Sequence, residues 1–184
     1  MQKTPIPPVI AIRDCEKRDM VAVQRIYEEQ VLTGSASFEE IPPSVDELLE
    51  RRGHIVSLGF PYLVACMADT VVGYAYAGRY RARSAYRHTA ENSVYVHPDH
   101  QGNGVGKRLL LETIKRCEAM GLREMVGIIG DSQNHGSIAL HASCGFEKVG
   151  TLRRVGYKHN RWVDTVIMQL RLKPQTDEIL PPLK

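Results

Sequence analysis

Long apolar runs are missing from this chain. No stretch approaches the roughly 20 residues a membrane helix needs, and the opening MQKTPIPPVIAIRD lacks the continuous apolar segment of a secretory signal. No membrane partner is expected, and the expected location is cytoplasmic. Cysteine is sparse: Cys15, Cys66, Cys117 and Cys144 stand far apart with no C-x-x-C pair, which reads as reduced thiols rather than a disulfide framework. His97 and His100 share a short segment and His135 shortly precedes His141, yet no H-E-x-x-H pattern or Cys/His pairing accompanies them, so no metal is expected. A large excess of charge is absent as well. A formal net charge of +3 on 184 residues gives no reason to expect nucleic acid as a partner, and leaves small anionic ligands open.

What is present suits one globular unit. With 43% hydrophobic residues in 184 the chain can bury one good core, expected as a single domain over 8–173 with tails at 1–7 and 174–184. PVIAIR (8–13) reads as a strand, and Asp14 as the cap of a helix carrying Val21, Val23, Ile26, Tyr27 and Val31 and ending near Leu32 and Gly34. After Pro42 and Pro43, Ser44 and Glu47 form an S-x-x-E capping box opening a second helix, with Gly53 marking its end or a kink. YLVACMA and VVGYAYAGRY read as a hairpin turning at Asp69 and Thr70, followed by a basic link, RARSAYRHTA, and a strand, ENSVYVH.

A helix then runs from QGNGVG to about Met120, with Leu110, Ile114 and Cys117 on one face and Gly121 closing it. EMVGIIG is a buried-type strand, and Asn134 to Ser143 is a short helix stopped by Gly145. FEKVGTLRRVGY and WVDTVIMQLRL are two more strands. The order is a strand, two helices, three strands, helix, strand, helix, two strands: a mixed α/β sheet with flanking helices, not a regular doubly wound one.

The most informative stretch is VYVHPDHQGNGVGKRLL (94–110). Gly102, Gly104 and Gly106 leave main-chain N–H groups uncovered where a helix begins, so several donors and the helix dipole can converge on a phosphate or pyrophosphate. A Walker loop would need glycine at Gln101 and Ser or Thr at Arg108, and a dinucleotide G-x-G-x-x-G would need glycine at Lys107. Both fail. The pattern that remains is Q-x-x-G-x-G, made by Gln101, Gly104 and Gly106.

That pattern resembles the loop with which the GCN5-related (GNAT) N-acetyltransferases grip the pyrophosphate of acetyl-CoA. Asn134, Ser137, Leu140, His141, Gly145 and Phe146 are similar in spacing to the family's second CoA motif, and the element order resembles its fold over nearly the whole chain. The resemblance implies a splayed central sheet of the acyl-CoA N-acyltransferase type. Val94, Tyr95 and Val96 would offer main-chain groups to pantetheine. Gln101, Gly102, Asn103, Gly104, Val105, Gly106 and Lys107 would hold the pyrophosphate, with Asn134 and Ser137 completing the cofactor site. Within the family, AYAGRYRARSAYRHTAENSVYVHPDHQGNGVGKRLL, IGDSQNHGSIALHASCGF and LRRVGYKHNRWVDTVIMQL look like the phosphinothricin and methionine sulfone/sulfoximine acetyltransferase group.

Transfer to an amine needs a base to free its lone pair, donors for the oxyanion and an acid for the departing thiolate. The resemblance puts Glu91 and His141 in these catalytic roles, with Glu91 as the base. His141 stands where most of the wider family carries a tyrosine acid, and histidine can act as either acid or base. For the acceptor, a small amino-acid-like amine, Arg83 and Tyr86 match the group's A-R-x-A-Y, and guanidinium suits carboxylate or phosphinate oxygens. Tyr76, Phe38 and Tyr157 are the other expected acceptor-side residues, and relatives of this kind imply a homodimer. No thiolate-stabilising group surrounds Cys144 in the sequence, so direct transfer in a ternary complex is expected. Acetylation of a protein N-terminus or a polyamine, and non-catalytic CoA binding, remain as alternatives.

Overall fold

A computed structural model describes residues 9–174. The expected tails therefore fall almost wholly outside the described residues, as does Pro8 of the first expected strand. A seven-stranded sheet runs in the order β1-β2-β3-β4-β5-β7-β6. Its strands are β1 (Ile10–Asp14), β2 (Tyr62–Met67), β3 (Thr70–Arg79), β4 (Thr89–Val96), β5 (Glu124–Gly130), β6 (Glu147–Lys158) and β7 (Arg161–Arg171). Four α-helices flank it: α1 (Met20–Thr33), α2 (Val45–Ser57), α3 (Val105–Ala119) and α4 (His135–Ser143). Every strand pair is antiparallel except β4 with β5, because α3 forms the crossover between those two.

The helices divide between the two faces of the sheet. Met20, Val23, Ile26, Tyr27 and Val31 of α1 and Leu48 of α2 pack on Tyr62, Val64 and Tyr74. Leu109, Leu110 and Ile114 of α3 pack on the opposite face, against Leu63, Ala75, Ala90 and Met125. Of the positions that the helical spacing picked out, Val23, Ile26, Tyr27, Val31, Leu110, Ile114 and Cys117 are buried, whereas Val21 is exposed because it lies on the solvent side of α1. The predicted hairpin, the α3 boundary and the short α4 all form where expected.

Three local expectations are overturned. Asp14 is the last residue of β1 rather than a helix cap; Glu16 opens a 3₁₀ turn, Lys17–Asp19, and α1 follows it. Gly53 lies inside α2, which continues to Ser57, since the helix is held by Leu48 and by its cap rather than by propensity at one exposed position. The capping box is half formed: Ser44 accepts the Glu47 N–H at 3.2 Å, but the Glu47 carboxylate turns to Arg51. An ion pair four residues along the helix outcompetes the reach back to the cap.

The entrance to α1 depends on a buried carboxylate. Asp19 accepts both guanidinium nitrogens of Arg13, at 2.6 and 2.8 Å, and the Glu16 N–H at 2.7 Å. These bonds, those from Arg13 first, hold its carboxyl below the usual value. The stabilisation is therefore complete above the ordinary aspartate range and is lost as pH falls through the lowered folded value. Asp19→Ala should cost about 1–3 kcal/mol at neutral pH, read by urea unfolding, with a flatter loss of stability on acidification than the parent protein shows.

Candidate active site

The site begins where a ladder stops. Parallel pairing of β4 with β5 runs from Thr89↔Glu124 to Asn92↔Gly127 and goes no further. Beyond that point Ser93 to Val96 and Ile128 to Gly130 diverge, so main-chain groups of β4 on the β5 side lose their sheet partners. The splayed sheet expected from the sequence is present.

A cleft of about 420 Å³ opens from this gap. Val94, Tyr95 and Val96 form one wall, the Gln101 to Lys107 segment lies at its mouth, and Asn134 and Ser137 face it from the α4 side. Gly102 and Gly104 have φ of +76° and +79°, the left-handed conformation that glycine adopts without strain. Gly104 is also the N-cap of α3 and brings no capping side chain, so the first N–H groups of that helix stay available to an anion. Asn103 is the one expected cofactor residue that does not line the cleft. Its amide donates to the carbonyls of His100 and Gln101, both at 3.4 Å, and braces the loop. Gln30 and Ala36, which the sequence reading missed, contribute to the lining because the end of α1 and the loop after it come over the gap.

The cleft continues into a narrow slot of about 40 Å³ between the diverging strands, lined by Asn92, Ser93, Ile128, Gly130 and His141 among others. His141 is buried. Its Nδ1 lies 2.8 Å from the Ser137 carbonyl and its Nε2 3.1 Å from Oδ1 of Asn92, while Phe146 meets the ring edge to face. Burial lowers the pKa of the ring below its usual value, and the Ser137 carbonyl works in the other direction.

Strand alternation puts Glu91 on the other side of the sheet. Ala90 and Asn92 face α3 and α4, whereas Glu91 shares its face with Ser93 and with Tyr95, whose ring meets Tyr27 of α1 and Tyr74. Opposite Glu91 in the β3–β4 register stands Gly78, with open space where a side chain would be, and opposite Ser93 stands Tyr76. Burial raises the Glu91 carboxyl above its ordinary value, an effect partly offset by the charge of Arg81. The two candidate catalytic groups thus approach the apex of the gap from opposite faces.

The expected acceptor residues separate. Tyr76 lies on the Glu91 face, stacked on Tyr62 at 5.1 Å. Phe38 covers Gly156 of β6 so closely that an added Cβ would lie 2.3 Å from its ring. Arg83 and Tyr86 are exposed at a 3₁₀ turn, Ser84–Tyr86, with Tyr86 edge-on to Tyr80, while Arg81 stacks over Tyr80 at 4.4 Å. Tyr157 is exposed on β6, edge-on to Trp162, and lines neither the cleft nor the slot. Asn92 and Gly127 escaped the sequence reading altogether. Asn92 did carry a signal, a polar side chain at an inward position between Ala90 and Val94, and a buried amide demands partners.

The four cysteines are free. Burial raises the thiols of Cys15 and Cys117, to about 11 and about 12, and desolvation also raises Cys144. None of these three is poised as a thiolate nucleophile. Among the described residues no group of three or more potential metal ligands gathers, and no helix is long and apolar enough to cross a membrane.

Comparison with known proteins agrees with this geometry. Residues 23–146 match the Acetyltransferase (GNAT) family. The chain is 49% identical to a phosphinothricin N-acetyltransferase of Alcaligenes faecalis over 158 residues, covering 86% of this chain and 80% of the relative. It is 39% identical to the L-methionine sulfoximine/L-methionine sulfone acetyltransferase of Salmonella typhimurium, over 89% of this chain and 95% of the relative. The crystal structure of a GNAT superfamily phosphinothricin acetyltransferase from Sinorhizobium meliloti, in complex with AcCoA, superposes with a TM-score of 0.88 at 41% identity, covering 94% and 96% of the two chains.

The loop geometry makes a specific demand. Gly104→Ala has room for its Cβ but must hold a left-handed backbone, at a cost of roughly 1–2 kcal/mol. Relief of that strain would turn the α3 N–H groups away from the cleft. Affinity for coenzyme A, measured by calorimetry, should fall by about tenfold.

Proposed function

Since the chain belongs to the GNAT acetyltransferase family, we propose that it transfers the acetyl group of acetyl-CoA to the α-amino group of a small amino-acid-like acceptor of the phosphinothricin, methionine sulfone or methionine sulfoximine type. The observation that carries this reading is the gap at the end of the β4–β5 ladder, with a glycine-lined helix mouth at one end and His141 at the other, and with Glu91 on the opposite face of β4 one residue before the last paired position. The α3 mouth and Lys107 suit the diphosphate of the coenzyme, and the main-chain groups of β4 that face the gap beyond Asn92 suit the amides of its pantetheine arm.

Glu91 is the base in this reading. A carboxylate that burial has made more basic, and to which the described residues donate no side-chain hydrogen bond, can take a proton from an ammonium directly or through water. Attack on the acetyl carbon is then direct, in a ternary complex, because no cysteine is activated to carry the acetyl group. Arg81, Arg83 and Tyr86 lie beside β4 on the exposed side, where they suit the oxyanions of the acceptor. Acetylation of protein termini or polyamines, and CoA binding without catalysis, are not favoured by relatives that share 38–49% of this sequence.

A homodimer and a cytoplasmic setting complete the proposal. The strand β6 is a sheet edge, and Val149, Leu152, Val155 and Tyr157 on it are exposed together with Trp162 of β7. Such an edge is suited to pairing with a second copy. Light scattering that gave a monomeric mass at micromolar concentration would overturn the dimer. Free thiols at all four cysteines fit a reducing compartment.

Thiol release from acetyl-CoA, screened against free amino acids, sulfones, sulfoximines, phosphinates and peptides, tests the activity; turnover restricted to peptides would refute it. Glu91→Gln should lower kcat by roughly 10²–10⁴-fold with coenzyme binding intact. Cys144→Ser should keep turnover within about twofold, since its thiol is desolvated and uncharged. An isolable acetyl-enzyme lost in that variant would replace direct transfer by a covalent route.

A further inference from the structure

Asn92 occupies the last paired position of β4, and its side chain continues the bridge that the main chain abandons. Its amide nitrogen donates to the Val126 carbonyl of β5 at 3.2 Å, which fixes the orientation of the group and turns Oδ1 toward Nε2 of His141, 3.1 Å away. On the far side of the ring, the Ser137 carbonyl can only accept, so Nδ1 carries a proton in that 2.8 Å bond. Nε2 then faces an oxygen as well. A neutral ring with its proton on Nδ1 would set the lone pair of Nε2 against that of Oδ1. Rotating the Asn92 amide would only move the conflict to Val126, whose carbonyl cannot donate. The Ser137 hydroxyl, 3.5 Å from Nδ1, is a more distant donor than the carbonyl at 2.8 Å is an acceptor; with protons assigned from this network, the imidazolium, donating to the Ser137 carbonyl and to Asn92, uses the two shorter contacts.

Gly127 makes the arrangement possible. It is the β5 partner of Asn92, and a Cβ there would lie 2.9 Å from Cδ2 and 3.0 Å from Nε2 of His141. The contacts on the ring come from Asn92 of β4, Gly127 of β5, Ser137 of its own helix and Phe146 just before β6. None of these groups is ionisable. Burial is the larger effect and lowers the pKa of His141, while the Ser137 carbonyl works against it; Oδ1 of Asn92, 3.1 Å from Nε2, is a second acceptor for the cation.

We propose that Asn92 is a positioning residue for acetyl transfer, holding the His141 imidazole doubly protonated at the end of the slot so that this ring is the acid for the departing thiolate. This rests on the acetyltransferase reading given above and settles which proton each group handles. The ammonium of the acceptor gives one proton to Glu91, which passes it to solvent. As the carbon–sulfur bond of the thioester breaks, an imidazolium N–H bond breaks and its proton joins the sulfur. The nitrogen now bonded to the acetyl carbon yields its surplus proton to the neutral imidazole, which restores the cation.

The test pairs ¹⁵N NMR of the His141 ring in the coenzyme-free protein with the pH dependence of kcat, for the wild type, Asn92→Leu and Asn92→Asp. The wild-type ring should report both nitrogens protonated on the acid side of its titration, and kcat should fall as pH rises through that titration. Asn92→Asp should move both the NMR midpoint and that limb upward by about one unit or more, and Asn92→Leu should move both downward. If Asn92→Leu does not fold, Gly127→Ala, which presses the ring away from Asn92, should give the same downward movement. A wild-type ring that is neutral throughout pH 5–8 while turnover persists would overturn the proposal. So would variants that lose thermal stability with midpoint and limb unmoved. Absence of thiol release by the wild type would sink the transferase reading and the acid role with it, while the NMR midpoints would still report whether Asn92 governs the ring.

Discussion

Everything in this structure that suits an acyl carrier follows from the failure of two neighbouring strands to stay paired. A parallel ladder satisfies the main-chain groups of both strands, and breaking one in a protein interior leaves donors and acceptors without partners. Here the break falls after Asn92↔Gly127, in the middle of a seven-stranded sheet rather than at an edge. The unsatisfied groups of β4 are held in place by β3 on their other side, through seven register pairs from Gly73↔Val96 to Arg79↔Ala90. The result is a rigid strand with one bare side, and a ligand rich in amides is its natural complement.

The same break sets the electrostatics. Because side chains alternate across a strand, successive residues at the apex face different solvents: Glu91 looks toward the tyrosine-lined side under α1 and α2, and Asn92 toward His141 and α4. Burial acts on both titratable groups, raising the carboxyl and lowering the imidazole, so each is pushed toward its neutral form. Their neighbours then differ. Glu91 feels the positive charge of Arg81, whereas His141 is gripped by two oxygens. One strand thus presents the proposed base on one face and supports the proposed acid on the other without bringing the two together to neutralise each other.

Much of this was legible in the sequence because its signals are local. The apolar runs YLVACM and EMVGIIG, the apolar spacing of α3 and the glycines at 102, 104 and 106 each report conditions within a few residues, and each element formed where it was expected. Asp14 and Gly53 misled for the same reason: residue type suggested a boundary, and packing of Leu48 and the Arg13–Asp19 pair decided otherwise. The resemblance located Glu91 and His141, but no spacing in the chain reveals that residues 49 positions apart in sequence share a hydrogen bond. Gly127 was equally silent, since its role is the absence of a side chain at one contact. Tyr157 shows the converse: a motif can mark a residue whose surroundings within one chain lie away from the cleft.

The segment that carries Phe38 is held by a different kind of contact from the rest of the fold. Between Gly34 and Pro43 the chain has no regular structure, yet it crosses the ends of β5 and β6 closely enough that Phe38 lies against Gly156. Buried Lys158 donates to the Ser37 carbonyl at 2.7 Å, His159 meets the Gly34 carbonyl at 3.2 Å, and Ser35 donates to Asp131, which Arg161 also engages. Burial works against the charge of Asp131, but the bonds from Arg161, from the Gln133 N–H and from Ser35 hold its carboxyl below the usual value. Apolar contacts alone would let such a segment slide, because they carry little direction, whereas a lysine fixed on one carbonyl and a carboxylate fixed on one hydroxyl select a single register. Placing polar anchors there costs desolvation, and the burial-lowered pKa of Lys158 records that cost. The segment carrying Phe38 is therefore tied to the β6–β7 hairpin, so that whatever settles the hairpin also settles the position of Phe38.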